Sequence, residues 1–262
     1  MSRAGGDDAA SRERSAVTSY DPQTVLANVD RHVFPVMGFM TLCLVSTFVY
    51  LVSAFRTSSR DRSYPAPLSA VGWFAIHDAN FVLLWNQWFH VYHHWWLESW
   101  AIALILTSGI EFLLCYQVYK YGREELMPRL TQRQFGWAVI GCLIGIGVVW
   151  VMVKSVLDDP LFLIAFAVTA WWPPAWATLL LVRRQSMRGQ TMLMNVCLLG
   201  DIVGMSGAWF FLDPWFRSPP FIAFAVVTIA WNVFNLWVMN KYPKYDSRAA
   251  DPLAARARAS AV

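Results

Sequence analysis

Long apolar runs, broken by short polar and mostly basic stretches, set the pattern of this chain. The runs fall near residues 33–54, 68–89, 96–119, 137–157, 161–182, 191–212 and 219–238. Each approaches the ~20 apolar residues that an α-helix needs to cross ~30 Å of hydrocarbon. No two-residue alternation of the β type is present, and in lipid a helix satisfies its own backbone polar groups. The pattern therefore predicts an all-α, polytopic membrane protein whose seven-helix transmembrane bundle occupies residues 31–242. Residues 1–30 are polar and mixed in charge, with no apolar core behind a basic start, so they read as a flexible tail or interfacial segment and not as a signal peptide. Residues 243–262 are rich in Ala and Arg and read as a disordered tail.

Charge gives the runs a direction. Arg56, Arg60 and Arg62 lie between the first two runs, and Lys120, Arg123, Arg129 and Arg133 between the third and fourth. Arg183, Arg184 and Arg188 lie between the fifth and sixth. Lys241, Lys244, Arg248, Arg256 and Arg258 follow the last, while the alternate loops hold only Arg217. Basic loops mark the cytoplasmic side, which predicts an outside N-terminus and a cytoplasmic C-terminus in a multi-pass protein of the bacterial cytoplasmic membrane. The net charge of +4 is then a topology signal and calls for no nucleic acid. Only 15% of residues are charged against 57% hydrophobic, which leaves too little polar surface for a soluble domain of this size. Cys43, Cys115, Cys142 and Cys197 sit inside apolar runs without paired spacing, arguing against disulfides and a cysteine metal site.

Polar residues inside the runs carry the candidate chemistry, because ionisable groups in a membrane span are costly and usually face a cavity. Asp78 lies about ten residues into the second run, ~15 Å deep at the helical rise. Asp201 is similarly deep in the sixth, Glu111 lies mid-to-inner in the third, and Asn232 and Asn235 lie near the middle of the seventh. Desolvation favours the neutral form of a carboxyl, which can then act as an acid, and ring faces stabilise a positive charge. Trp73, Trp85 (seven residues from Asp78 and expected on its face) and Trp231 would line such a site. Trp95, Trp96, Trp100 and Trp215 suit an interfacial belt, and Lys154 is placed to snorkel. Gly141 with Gly145, and Gly200 with Gly204, are small-xxx-small pairs that permit close helix approach. Pro173–Pro174 should kink the fifth run. His90, His93 and His94 form one H-x-x-H-H string, too little for a membrane di-iron centre, so no metal site is expected.

Several motifs bear a family resemblance. Asp61-Arg-Ser-Tyr64-Pro-Ala-Pro67-Leu68 resembles the D-[RK]-[ST]-Y-x-x-P-L entry of the integral-membrane terpene cyclases of fungal meroterpenoid and indole-diterpene pathways and their bacterial relatives. Glu111-Phe-Leu-Leu-Cys-Tyr116 is similar to their D-x-x-x-x-Y, and Tyr121-Gly122-Arg-Glu-Glu125 to their F-G-x-x-E-W. Arg184-Gln-Ser-Met-Arg188-Gly189-Gln-Thr191 resembles R-G-x-[ST]-R-G-x-S. The resemblance implies a terpene cyclase acting on a lipophilic prenylated small molecule, with or without a terminal epoxide, by protonation and without metal or organic cofactor. It implies Asp78 at the family's catalytic Glu, with Phe74 and His77 in place of the Asn and Trp of its N-x-x-W-E run. It places Asn232 and Asn235 at the last helix's acid and Tyr. The implied catalytic set is Asp78, Asn232, Glu111 and Asp201; the implied substrate contacts are Trp73, His77, Trp85, Tyr116, Trp231 and Asn235. A small transporter or lipid-binding protein, and a metal-dependent membrane oxygenase, are the alternative readings.

Overall fold

Asp21 starts the folded chain: its carboxylate accepts from the Thr24 backbone N–H at 2.8 Å, and Pro22 supplies a pre-set first helical residue. The computed structural model describes residues 20–157 and 159–245, within which there are ten α-helices and no strand. The first, α1 (Pro22–Arg31), buries Val25, Leu26 and Val29 along one stripe and packs on the C-terminal end of a later helix, where Asn28 donates to the Leu212 carbonyl at 2.8 Å. This corrects the expectation of a flexible segment reaching residue 30. The 3–4 spacing of three apolar residues behind an Asp-Pro start is a helix signal. Residues 1–19 and 246–262, which hold most of both expected tails, lie outside the described residues.

The remaining helices are α2 (Val33–Asp61), α3 (Leu68–Ala79), α4 (Trp95–Tyr121), α5 (Arg123–Leu126), α6 (Gln132–Val156), α7 (Leu163–Trp171), α8 (Pro173–Arg184), α9 (Met192–Leu212) and α10 (Pro219–Met239). Six helical stretches are long and apolar enough to cross a membrane: α2, α4, α6, the α7–α8 pair, α9 and α10. Their outward positions carry exposed Val45, Ile102, Ile105, Ile144, Val148 and Val227, a lipid-facing surface. The chain is thus a multi-pass membrane protein. The second run departs from one regular helix over 68–89: after α3 the backbone tightens to a 3-10 segment over Asn80–Leu84 and widens to a π segment over Gln87–Tyr92. Neither Pro nor Gly lies in this stretch; Asn80, whose side chain competes with helical hydrogen bonding, stands where the α form ends.

Helices α2 and α9 form the most extensive pair. A Cβ on Gly204 would stand 2.6 Å from the Cys43 backbone nitrogen and 2.7 Å from the Phe39 carbonyl, and one on Gly200 would strike the Ser46 hydroxyl. Gly141 and Gly145, by contrast, have no atom within 4 Å, so this second small-residue pair packs against no helix among the described residues. The Pro pair separates α7 from α8, as expected. Asn235 donates to the Pro174 carbonyl at 2.6 Å.

At the other end of the bundle three loops lock together. Arg184 pairs with both carboxylate oxygens of Glu125, at 3.2 and 3.0 Å, and donates to the carbonyls of Tyr64 and Arg188. Its guanidinium lies 4.3 Å over the Tyr64 ring. Arg188 donates to the Arg62 carbonyl, and the Gly189 N–H donates to Asp61. Gly189 has a φ of +75°, and a Cβ there would meet the Tyr64 carbonyl at 2.8 Å, so the turn requires glycine.

Two predictions follow from this packing. Gly204→Val should destabilise the protein by about 1–3 kcal/mol, the usual cost of overpacking, while Gly145→Val should stay within about 0.5 kcal/mol; thermal unfolding in lipid nanodiscs compares them. Burial pushes the Glu125 carboxyl up, but the Arg184 hydrogen bonds and charge outweigh it and hold the group below its ordinary range. A depressed folded pKa contributes stability above the unfolded value and loses it as pH falls through the folded one. Glu125→Gln should therefore lower the melting temperature at neutral pH, and the gap from wild type should close on acidification.

Candidate functional site

Four helices bring one polar face each to a single chamber of about 190 Å³. On α4, Thr107 and Glu111 lie one turn apart and so share a face. On α2, Cys43, Thr47 and Tyr50 do the same at three- and four-residue steps. Asp78 comes from α3 and Asp201 from α9, and all seven side chains line the chamber. Phe166, Thr169 and Ala170 of α7 close one wall, and Pro173 at the start of α8 continues it. The break at the prolines is therefore part of the chamber's shape.

The three carboxyls have different surroundings. Asp78 is buried and accepts from the Thr107 hydroxyl at 2.5 Å on one oxygen, while His77 Nδ1 lies 2.9 Å from the other. Asp201 receives the Cys43 thiol and the Thr47 hydroxyl on one oxygen, both at 2.9 Å. Glu111 is buried, and its Oε2 has no hydrogen-bond partner. Rings stand opposite these groups: Tyr50, Phe74, Trp96, Trp100 and Phe166 all line the chamber, with Trp100 stacked on Phe166 at 4.3 Å between centroids. Leu51, Val71 and Leu114 seal its deep end and are buried. Thr41, Leu44 and Ser99 also line it and are exposed, so its mouth opens between α2 and α4 on the apolar flank.

Of the sequence candidates, the structure places Asp78, Glu111 and Asp201 together. His77 stands directly behind Asp78, fully buried among Trp150, Phe162 and Phe166. Trp73 lies one layer further out, 4.4 Å from the Trp150 ring and 3.3 Å from the Thr169 hydroxyl. The others do not reach the chamber wall. Asn232 is buried on α10 with both amide atoms unpartnered. Asn235 binds Pro174 and Thr178, and Trp231 donates to that same Thr178 hydroxyl at 2.9 Å. Tyr116 is 56% exposed on the outer surface of α4. Trp85 is 45% exposed and stacked on Phe89; the seven-residue spacing from Asp78 loses its meaning because the backbone leaves α-geometry at Asn80. Trp96 and Trp100, expected in an interfacial belt, are buried chamber walls.

Thr107, Cys43, Thr47 and Tyr50 were not singled out in the sequence. Their signal was a helical stripe of small polar side chains in otherwise apolar spans. Lys154, expected to snorkel, is covered instead, with its Nζ 3.5 Å over the Phe162 ring. In the His string, His90 is exposed, His93 contacts Glu98 at 2.9 Å, and His94 lies 3.3 Å from Asp30. Among the described residues no three His, Cys, Asp or Glu side chains stand together as a metal site. No family model, no curated protein and no solved structure matches the chain.

Thr107→Val keeps the shape and removes the donor to Asp78. Losing a hydrogen bond to a buried charged or polar group costs about 1–3 kcal/mol, so the variant should unfold at a lower temperature than Thr107→Ser, which keeps the hydroxyl.

Proposed function

We propose that this protein is a membrane terpene cyclase that starts ring closure by protonating a lipophilic prenylated substrate. The observation that carries the reading is the convergence of three carboxyls from three helices on one chamber walled by five aromatic rings. Such a chamber supplies both needs of carbocation chemistry: a proton to begin it, and ring faces to shield the cation. Its mouth lies on the apolar flank, where a substrate dissolved in the bilayer would arrive. The motifs resembling those of the membrane cyclases agree with this reading.

The roles follow from the hydrogen bonds. Glu111, with an oxygen free of any partner, delivers its proton to the terminal alkene or epoxide oxygen. The π bond shifts or the C–O bond opens, successive alkenes attack the cationic carbon, and rings form. Asp78, which accepts from Thr107 on one oxygen and contacts His77 Nδ1 with the other, takes the proton released when the last cation becomes an alkene. The product is an isomer of the substrate and no diphosphate leaves; one proton has moved from Glu111 to Asp78, and its return from Asp78 to Glu111 resets the enzyme for the next turnover. This assigns the first proton transfer to Glu111 and not to Asp78, the residue that the resemblance sets at the family's catalytic Glu. It also leaves Asn235 in the α8–α10 contact and gives no role to Asn232, which does not line the chamber.

Topology completes the proposal. Helix α3 contributes twelve residues at 1.5 Å and the 3-10 segment five at about 2.0 Å, or ~28 Å together, close to the ~30 Å hydrocarbon thickness. A seventh crossing there accounts for the ends of α2, α4 and α8 meeting in one cluster. The basic loops put that cluster, with the C-terminus, on the cytoplasmic side, and the N-terminus outside.

The test uses membranes containing the wild type, Glu111→Gln and Asp78→Asn, each given a farnesylated aromatic with and without a terminal epoxide. The wild type should form a cyclic product of unchanged mass. Glu111→Gln should lose roughly 10²-fold or more of that rate, the scale of general acid catalysis. Asp78→Asn should alter the distribution of alkene products. Undiminished turnover in Glu111→Gln would move the proton donor elsewhere, and no turnover by folded wild type of either substrate would sink the cyclase reading.

A further inference from the structure

The chamber gathers three acids, Asp78, Glu111 and Asp201, with no lysine or arginine in its wall. The buried amine of Lys154 is turned onto the Phe162 ring, and Phe162 is not part of the chamber wall. Thr107 and His77 meet Asp78, and Thr47 and Cys43 donate to Asp201, whereas Glu111, a buried residue of the chamber wall, has no partner for its Oε2. A carboxylate that is ionised while buried is found paired with a positive charge, and ring faces favour a cation as well.

We propose that the chamber is a binding site for single-chain lipophilic ammonium compounds, whose positive head sits among Asp78, Glu111 and Asp201 and whose chain extends towards the mouth between α2 and α4. The mouth fixes the rest of the ligand's chemistry. Thr41, Leu44 and Ser99 open onto the apolar flank, so the ligand enters from the bilayer and carries an apolar tail. Along α2 the chamber's lining runs from Met37 to Leu51, fourteen residues or ~21 Å at the helical rise, a length that takes one extended chain. An anionic phospholipid headgroup would meet like charge at the carboxyls. The proposal rests on the same chamber as the cyclase reading but concerns equilibrium binding, so the two can fail separately.

The experiment uses full-length protein in phosphatidylcholine nanodiscs with two probes of the same shape. One is dodecyltrimethylammonium, the other 2,2-dimethyltetradecane, in which carbon replaces the charged nitrogen. Binding is read as the shift in melting temperature against probe concentration in the lipid. The ammonium should bind roughly tenfold or more tightly than its neutral counterpart, the equivalent of ~1.4 kcal/mol. Glu111→Gln, which keeps the side-chain volume, should cut that preference, and the combined Asp78→Asn, Glu111→Gln, Asp201→Asn protein should abolish it. Equal shifts from both probes in the wild type would overturn the proposal without any variant, and so would a preference that survives in Glu111→Gln undiminished. Charge-selective binding without turnover of any prenylated substrate would support this site while removing the cyclase reading. Turnover without charge selectivity would do the reverse.

Discussion

The close approach of α2 and α9 is the constraint on which the chamber depends. With Gly204 set against the α2 backbone, the two helices come near enough for Cys43 and Thr47 to reach Asp201 across the interface. In lipid there is little hydrophobic drive between apolar helices, so small residues and cross-helix hydrogen bonds set which faces meet. Here both occur along the same stripe. The stripe then leaves the next positions of α2, at Tyr50 and Leu51, to form the chamber's deep wall. A side chain at Gly204 would not only strain the pair; it would withdraw both donors from Asp201.

The same economy of donors distinguishes the three acids. Two have neutral partners that orient them, and one does not. A carboxyl fixed by Thr107 and His77 keeps one orientation for receiving a proton, whereas an unheld Glu111 can turn towards a substrate. Proximity also matters, because Thr107 and Glu111 share a face of α4 and the Thr107 hydroxyl bonds Asp78. Glu111 and Asp78, the groups proposed to start and end the reaction, are thus linked through one face of α4. A chain folded back on itself, as ring closure demands, brings its first and last reacting carbons to that one face, with rings on the other walls.

How much of this was legible in the sequence depends on the length scale of the signal. Run length predicted seven crossings, and six of those runs are helices long and apolar enough to cross; counting 1.5 Å per residue put Asp78, Glu111 and Asp201 at similar levels, and they line one chamber. Depth does not give direction, however. Asn232 sits at the expected level yet is buried on α10 away from the chamber, and Trp231 is turned to Thr178. Heptad reasoning placed Trp85 with Asp78 and failed because one stretch of 3-10 backbone rotates everything after it. Trp96 and Trp100 were assigned to the interface by their place near a helix start, whereas α1, folded over this end of the bundle through Asn28 and through Asp30 with Trp95, covers it. That helix was itself hidden in a segment whose overall polarity masked three apolar residues on one stripe.

The residues that carry the family resemblance fall in two places, and the division bears on what resemblance can mean. Asp61, Tyr64, Glu125, Arg184, Arg188 and Gly189 come from three separate motifs and assemble into one lock at the end of the bundle remote from α1. None of them lines the chamber. Their shared pattern is explained by geometry: a guanidinium held on a ring and a carboxylate, and a glycine where no Cβ fits. Such motifs speak for how three loops are joined and hence for the arrangement of α2, α3, α4, α8 and α9. The proposed chemistry rests instead on the chamber acids Asp78, Glu111 and Asp201, the last of which no motif contains. A chain could therefore keep this lock and change its reaction by altering three carboxyls and five rings, and for that reason the proton donor must be identified in the chamber itself.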